Sequence, residues 1–166
     1  MNNKYIYILF HFIILILIQG LVLQYVGYEN INLFIYPLFI LLLPFDLPHG
    51  IIVLLGFITG ISIDIFYDGY GIHSSTTVLM AFARPLILSI IEPRNGYEGN
   101  QKISIPALGL RWFSSYIAIF LFFHIFFYFT LEDLSLSWFS LARILVSFIF
   151  SFFIILLYQY LFNSRK

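Results

Sequence analysis

PFDLPHGIIVLLGFITGISIDIFYDGYGIHSSTTVLMAFARPLILSIIEP, residues 44–93, holds two apolar runs on either side of a glycine-rich turn. The first run carries Asp64, the second carries Arg84, and the turn YDGYG covers residues 67–71. An ionisable side chain inside a hydrocarbon-length segment costs about 2.5–3.5 kcal/mol on insertion scales, so it usually faces protein rather than lipid. The stretch therefore predicts a helical hairpin in a membrane, with each charge turned toward a protein interior.

Composition extends this prediction to the whole chain. Of the 166 residues, 61% are hydrophobic and 10% are charged, and the mean hydropathy is +0.98. Soluble domains carry roughly 25% charged residues, so we expect an all-α integral membrane protein with a single transmembrane domain, residues 1–166. The formal net charge is zero, which gives no basis for binding nucleic acid. Cysteine is absent, which excludes disulfides and thiolate chemistry.

Six apolar segments are long enough, or nearly so, to cross the roughly 30 Å hydrocarbon core. They cover approximately residues 5–26, 32–45, 51–67, 72–91, 108–131 and 138–162. The first is longer than the apolar region of a signal peptide and lacks a cleavage site, so we expect it to be retained. The second would give a helix of only about 21 Å and has Pro37 inside it. It is compatible with a thin span, a kinked span or a re-entrant hairpin.

The charges of the loops favour a crossing second segment. If all six segments cross and the N-terminus is cytoplasmic, the inner side holds the basic residues Lys4, Arg94, Lys102, Arg111, Arg165 and Lys166. The charged residues of the outer loops are then all acidic, namely Glu29, Asp68, Glu132 and Asp133. This is the positive-inside distribution. We therefore expect a six-transmembrane-helix bundle with the N- and C-termini in the cytoplasm.

Gly56, Gly60 and Asp64 are spaced by four residues and so lie on one face of the third segment. Small residues at this spacing let another backbone approach closely. Two interpretations follow. The stripe either packs against another helix of the same bundle or forms a contact face for a separate protein.

Asp64 needs a partner inside the membrane. Counting about 1.5 Å per residue from the outer ends places it at the depth of Arg143 in the sixth segment. Ser140, Ser147 and Ser151 share a polar stripe with Arg143. We therefore predict an ion pair between Asp64 and Arg143, since either charge alone would be costly.

Two further polar groups lie at membrane depth. Arg84 precedes Pro85, which frees a backbone carbonyl one turn earlier. The guanidinium is expected to extend toward the inner surface, to bond the carbonyls that Pro85 frees or to bind an anionic group. His124, in the outer half of the fifth segment, is either a proton carrier or a buried neutral histidine. No metal-ligand spacing and no catalytic motif is present, so we do not expect an enzyme.

Over residues 36–98 the chain resembles the rod shape-determining protein MreD family. The shared features are Tyr36-Pro37, Leu43-Pro44, the Phe57-x-x-Gly60-x-x-x-Asp64 core, the turn Asp68-Gly69-Tyr70-Gly71-Ile72-His73, Arg84-Pro85 and the stretch Glu92 to Glu98. The last two are similar to the variant found in Bacteroidetes-type bacteria. Outside this region the likeness rests on composition, length and the number of spans.

This resemblance implies a multi-pass protein of the bacterial inner membrane that belongs to the cell-wall elongation machinery and maintains rod shape. The implied direct partner is MreC, a single-span protein with a periplasmic domain. MreC would connect it to MreB, to the glycosyltransferase RodA and to the elongation transpeptidase. The family supplies no catalytic residue, and we expect no cofactor. The structural or interaction candidates are Pro44, Pro48, Gly56, Gly60, Asp64, Gly69, Gly71, Arg84, Pro85 and Arg143.

The family fold is also similar to the substrate-binding subunits of energy-coupling-factor transporters. The alternative function is therefore a small-molecule, vitamin-like binding subunit of a transporter. Such a subunit predicts a polar-lined cavity open to the outside, whereas a scaffold predicts a filled interior and a small-residue groove on its lipid-facing surface. An intramembrane enzyme would need two polar groups at one depth, for which Asp64 and His124 are the candidate pair.

Overall fold

The computed structural model describes residues 3–26, 31–94, 96–97, 102–134 and 137–163, and every regular element in these ranges is helical. The helices are α1 (Asn3–Ile18), α2 (Gln24–Val26), α3 (Leu38–Leu42), α4 (His49–Phe66), α5 (Ile72–Ile90), α6 (Ile105–Leu108), α7 (Leu110–Asp133) and α8 (Trp138–Asn163). A π-helical turn, Gln19–Leu23, connects α1 to α2. Glu29, Glu98, Arg165 and Lys166 lie outside the described residues.

Four helical stretches are long and apolar enough to cross a membrane. They are Ile8–Val26, His49–Phe66, Leu110–Asp133 and Trp138–Phe162. The prediction of an all-α membrane protein is confirmed at this level. Helix α5 has 19 residues and packs against α4 and α7. It is absent from this set because its buried face carries the polar residues His73, Ser74, Thr76, Thr77 and Arg84.

The second predicted span, residues 32–45, is wrong as a membrane helix. Residues 31–35 have no regular structure, the next two form a turn, and α3 contains five residues. Residues 31–37 are called the unwound segment below. Two prolines explain the break. Pro37 has no N–H for a helical bond and biases the preceding residue away from helix, and Pro44 does the same to Leu43, where α3 ends.

Serine side chains of α8 bond the backbone of the unwound segment. Asn32 N donates to Ser147 Oγ at 3.2 Å, and Phe34 N donates to Ser151 Oγ at 2.8 Å. Non-helical backbone at membrane depth is tolerated where surrounding protein supplies its hydrogen bonds. Two serines of the predicted polar stripe therefore hold a non-helical part of the chain inside the bundle.

Gln19, the first residue of the π-helical turn, bonds the same segment from the N-terminal helix. Its Nε2 donates to Leu33 O at 2.7 Å and to Tyr67 Oη at 2.7 Å. Its Oε1 accepts a hydrogen bond from Ile35 N at 2.8 Å. Gln19 is buried, so these bonds are shielded from competition with water.

Aromatic side chains fill the space around the unwound segment. The Phe34 ring centroid lies 4.9 Å from that of Tyr128, 5.8 Å from that of His124 and 6.4 Å from that of Phe129. All three are edge-to-face contacts, a favourable geometry for aromatic pairs. The interior around Phe34 is therefore packed by the chain itself.

The glycines of the predicted stripe lie at the contact between α4 and α5. A Cβ on Gly56 would be 2.8 Å from Ala81 Cβ, and a Cβ on Gly60 would be 2.7 Å from His73 O. Real Cβ atoms essentially never approach so closely, so the two helices are packed at a distance that glycine permits. Gly56 and Gly60 are therefore covered by α5 inside the bundle, so these two glycines do not form a contact face for a separate protein.

The bundle has two distinct ends. The α4–α5 turn and the α7–α8 connection lie at one of them, where the rings of His73 and Tyr128 are 4.9 Å apart. We call this the hairpin end. At the opposite end, called the loop end, Trp112 Nε1 donates to Ile91 O at 2.8 Å.

Candidate functional site

Asp64 caps the N-terminus of α5 from the neighbouring helix. Its Oδ1 accepts from His73 N and from His73 Nδ1, each at 3.1 Å. Its Oδ2 accepts from Ser74 N at 2.9 Å and from Ser74 Oγ. The first N–H groups of a helix have no partner within it, and the helix dipole favours a negative charge there. The charge that the sequence places in this span is therefore held by a helix terminus.

The glycines of the turn let the chain fold back over this carboxylate. Gly69 N donates to Asp64 O at 2.8 Å, and a Cβ at Gly69 would lie 2.5 Å from Asp64 Oδ1. Gly71 is the N-cap of α5 with φ of +85°, a conformation that glycine adopts without strain. Both candidate glycines have a structural role at the hairpin end.

The predicted ion pair between Asp64 and Arg143 is wrong. Arg143 Nη2 lies 2.7 Å from Glu132 Oε2, and Nη1 lies 2.9 Å from Asp133 Oδ1. The guanidinium carbon is also 4.4 Å from the centroid of the Phe129 ring, a cation–π contact. Arg143 therefore stabilises the connection between α7 and α8, while Asp64 bonds to α5.

Two buried histidines lie in the aromatic core next to this cap. His124 Nε2 is 2.8 Å from Tyr36 Oη. His73, which follows the glycine turn, is the histidine that bonds Asp64. Within the described residues, His73 Nε2 and His124 Nδ1 have no hydrogen-bond partner. His124 is buried, and its service as a proton carrier stays a prediction.

Arg84 is buried and bonds the end of α3. Its Nη2 donates to Leu43 O, and its Nε donates to Tyr116 Oη at 3.1 Å. Leu43 is the C-cap of α3, where carbonyls lack helical partners and the dipole favours a cation. Arg84 does bond a backbone carbonyl, but the acceptor is Leu43 O and not a carbonyl freed by Pro85, so the predicted acceptor is wrong. Anion binding at Arg84 stays a prediction.

Tyr97 anchors the connection between α5 and α6 at the loop end. Its hydroxyl donates to Leu88 O at 2.8 Å, and its ring stacks on Phe45 at 4.5 Å between centroids. Burial raises the pKa of Tyr97 to about 12. The hydroxyl therefore remains a donor throughout the physiological pH range.

A groove of about 470 Å³ opens between α4 and α5 at the hairpin end. One wall is apolar, and the rest is small or polar. The lining residues are Phe57, Ile61 and Ile65, then Gly69, Gly71, Ser74 and Ser75, with Asp64 among them. Because Ile65 is 73% exposed, the groove lies on the outside of the bundle rather than in its interior.

The structure brings together half of the predicted candidates. Gly56, Gly60, Asp64, Gly69 and Gly71 all lie at the α4–α5 contact. The others are distributed: Pro44 follows the α3 cap, Pro48 is the N-cap of α4, Arg84 and Pro85 lie within α5, and Arg143 lies in α8.

Gln19, Tyr36 and His73 are the polar residues that sequence reasoning missed. Gln19 had a visible signal, because an amide in an otherwise apolar span needs a partner. His73 also had one, since a short turn places the first residues of α5 against the end of α4. Nothing local marks Tyr36, whose partner His124 is 88 positions away.

The site can hold charges at helix ends and form buried hydrogen bonds. In the part of the chain that the structure describes, no three or more His, Cys, Asp or Glu side chains are grouped so as to hold a metal ion. Comparisons with protein-family models, with curated proteins and with solved structures found no significant match.

Proposed function

We propose that this chain is a membrane scaffold of the bacterial cell-wall elongation machinery that binds MreC and maintains rod shape. The proposal places it in the inner membrane, crossing six times, with both termini cytoplasmic and the hairpin end outside. In this arrangement the unwound segment and α3 together make the second crossing, and α5 makes the fourth.

One observation supports a scaffold more than any other: the chain fills its own interior. The unwound segment occupies the space among α1, α5, α7 and α8, and Phe34 and Tyr36 are 1% and 0% exposed. The buried polar side chains that surround it, including Gln19, Ser147 and Ser151, bond its backbone. A filled interior is what the scaffold hypothesis predicts.

The groove between α4 and α5 is the proposed contact for the single span of MreC. It lies at the outer end in this topology and combines an apolar wall with Gly69, Gly71 and Ser75. Small residues let a partner helix approach closely when lipid supplies no hydrophobic driving force. The glycines at positions 56 and 60 contribute nothing here, because α5 covers them.

The transporter alternative keeps one supporting observation. Polar side chains from the π-helical turn, α7 and α8 do converge, as a binding subunit requires. They converge on the unwound segment, so a ligand at that place would need the segment to leave. This requirement makes the transporter function the second candidate.

Cysteine labelling tests the topology. The chain contains no cysteine, so single cysteines can be introduced without background. Tyr70→Cys at the fully exposed tip of the α4–α5 turn should react with an impermeant thiol reagent added to intact cells. Gly50→Cys and Arg94→Cys, both at exposed positions, should react only after the membrane is opened. Labelling of Gly50→Cys in intact cells would show that the second segment does not cross.

Two exposed serines of α5 provide a matched test of the partner contact. Ser75 lines the groove, whereas Ser89 lies at the loop end, and each hydroxyl bonds a carbonyl of its own helix. Ser75→Leu should fill the groove and lower MreC recovery in affinity purification by about tenfold, equivalent to about 1.4 kcal/mol. Ser89→Leu should leave recovery unchanged.

The contact surface and the scaffold function can fail separately in this experiment. Equal recovery with both variants would exclude the groove as the contact while leaving the scaffold function open. Absence of MreC from purifications of the unsubstituted chain would contradict the proposed function itself.

A further inference from the structure

The α4 wall of the groove is a ridge of large apolar side chains. Phe57, Ile61 and Ile65 line the groove and are 47%, 42% and 73% exposed. Because they are spaced by four residues, they form one of the ridges along which packed helices interlock. From Phe57 to Ile65 the helix rises about 12 Å, less than half of the roughly 30 Å hydrocarbon core. A helix that packs against this ridge therefore contacts the bundle only near the hairpin end.

The α5 side of the groove is small and already satisfied in its hydrogen bonds. The Ser75 hydroxyl donates to Gly71 O at 2.7 Å, and the Ser74 hydroxyl donates to Asp64 Oδ2. A Cβ at Gly71 would meet nothing within 4 Å, so the space beside this residue is open. An apolar side chain of a partner helix can therefore enter here without leaving a serine hydroxyl unpaired.

The charged side chains at the hairpin end are mostly acidic. Among the described residues of this end they are the carboxylates of Asp64, Asp68, Glu132 and Asp133 and the guanidinium of Arg143. Arg143 already pairs with Glu132 and Asp133, and the Asp64 carboxylate is bonded by α5. The excess of negative charge at this end attracts a cationic partner and repels an acidic one.

Two exposed residues of the α4–α5 turn border the groove. Asp68 immediately precedes Gly69, and Tyr70 lies between Gly69 and Gly71, both of which line the groove. Tyr70 is 100% exposed, and Asp68 is exposed as well. The ion pairs among the described residues do not include Asp68. The rim of the groove therefore carries a carboxylate that is available to a partner.

We propose that the groove takes a transmembrane helix of a partner that carries a Lys or Arg side chain at its hairpin-end terminus, next to Asp68. This inference rests on the proposed scaffold function and adds the chemistry of the partner. Apolar side chains pack against the α4 ridge, and the basic side chain lies at the rim. Water competes there, so the basic residue sets specificity and association rate more than affinity. A second copy in the same orientation would place one acidic hairpin end against another, so a different chain is favoured.

Two opposite charges at one position test the inference. Tyr70→Glu and Tyr70→Lys alter the same fully exposed side chain, so their effects on folding should be similar. With MreC as the probe, recovery in affinity purification at about 0.1 M salt should be about threefold lower with Tyr70→Lys than with Tyr70→Glu. At about 1 M salt, where the Debye length is about 3 Å, the two variants should recover equal amounts.

Asp68→Asn tests the carboxylate itself. Asp68 has φ of +49°, a conformation that asparagine tolerates as aspartate does, so the turn should keep its shape. Recovery of MreC at about 0.1 M salt should fall about threefold. Glu92→Gln, at an exposed position of the loop end, should leave recovery unchanged. Replacing the Lys or Arg at the corresponding end of the MreC span with Glu should also lower recovery, and Tyr70→Lys should then restore it.

Equal recovery with Tyr70→Glu and Tyr70→Lys at low salt would overturn the inference while leaving MreC binding, and with it the proposed function, intact. Recovery of a differently tagged second copy of the chain that is lost with Ser75→Leu would also overturn it, because the groove would then be occupied by the chain itself. Absence of MreC with the unsubstituted chain would remove the proposed function and this inference together.

Discussion

Replacing Gly60 with alanine is expected to lower the free energy of unfolding by about 3 kcal/mol, at the upper end for overpacking a tight contact. The added Cβ would lie 2.7 Å from both His73 O and Ser74 N, which are backbone atoms that cannot rotate away. Relief requires α4 and α5 to separate where Asp64 caps α5. Thermal unfolding in detergent should show a midpoint about 6–12 °C lower.

Gly50→Ala is the matched control for this change. Gly50 lies in the first turn of the same helix, and an added Cβ there meets nothing within 4 Å. Alanine favours helix over glycine by about 1 kcal/mol, so the midpoint should stay constant or rise. A similar loss in both variants would mean that the close contact at Gly60 is not what limits stability.

Asp64→Asn is expected to cost about 3 kcal/mol, because buried donors at the start of α5 lose their acceptor. An amide has one oxygen, whereas the carboxylate accepts four hydrogen bonds from His73 and Ser74. The amide nitrogen would face N–H groups that need an acceptor. The loss should be visible as a lower unfolding midpoint and less folded protein in the membrane.

A pair of double-mutant cycles separates the observed partner of Asp64 from the one predicted by sequence. Asp64→Asn combined with Ser74→Ala should be non-additive, since both changes act on the hydrogen bond from Ser74 Oγ to Asp64 Oδ2. Asp64→Asn combined with Arg143→Gln should be additive within about 0.5 kcal/mol, because Asp64 bonds to His73 and Ser74 whereas Arg143 pairs with Glu132 and Asp133. Strong coupling in the second cycle would contradict the arrangement described here.

The hairpin of α4 and α5 was predictable from sequence because its determinants are local. Spacing by four residues places Gly56, Gly60 and Asp64 on one face whatever the surroundings. Because the turn has only five residues, α5 must pack against α4, and the glycine face allows the closest approach. Which histidine bonds Asp64 follows from the same geometry, although it was not drawn from the sequence.

The prediction of the ion pair was wrong because a residue count from the helix end gives the depth of a side chain in the membrane but not its direction around the helix axis. Asp64 and Arg143 were matched in depth, yet Glu132 and Asp133 lie at the same end and much nearer to Arg143 in sequence. Asp64 was also satisfied without a cation, by the dipole and N–H groups of a helix terminus. A count of charges cannot reveal that a carboxylate on one helix of a hairpin caps the N-terminus of the other.

The prediction of a second membrane helix was wrong because hydropathy does not distinguish a helix from buried irregular backbone. Between Pro37 and Pro44 only a short helix fits, and residues 33–41 are as apolar and as buried as those of a helix. What makes the irregular backbone tolerable is a set of side chains far away in sequence. A hydropathy window of twenty residues cannot detect hydrogen bonds to side chains so distant in sequence.

The unwound segment is synthesised long before the serines of α8 that bond its backbone. Ser147 and Ser151 follow Asn32 and Phe34 by 115 and 117 positions. At about 5–20 residues per second, a ribosome needs about 6–23 s to synthesise the intervening chain. During that interval the serine partners of Asn32 N and Phe34 N do not yet exist, although Gln19, the partner of Ile35 N, is already present. The hydrogen bonds of the segment are therefore completed only after the last helix has been synthesised.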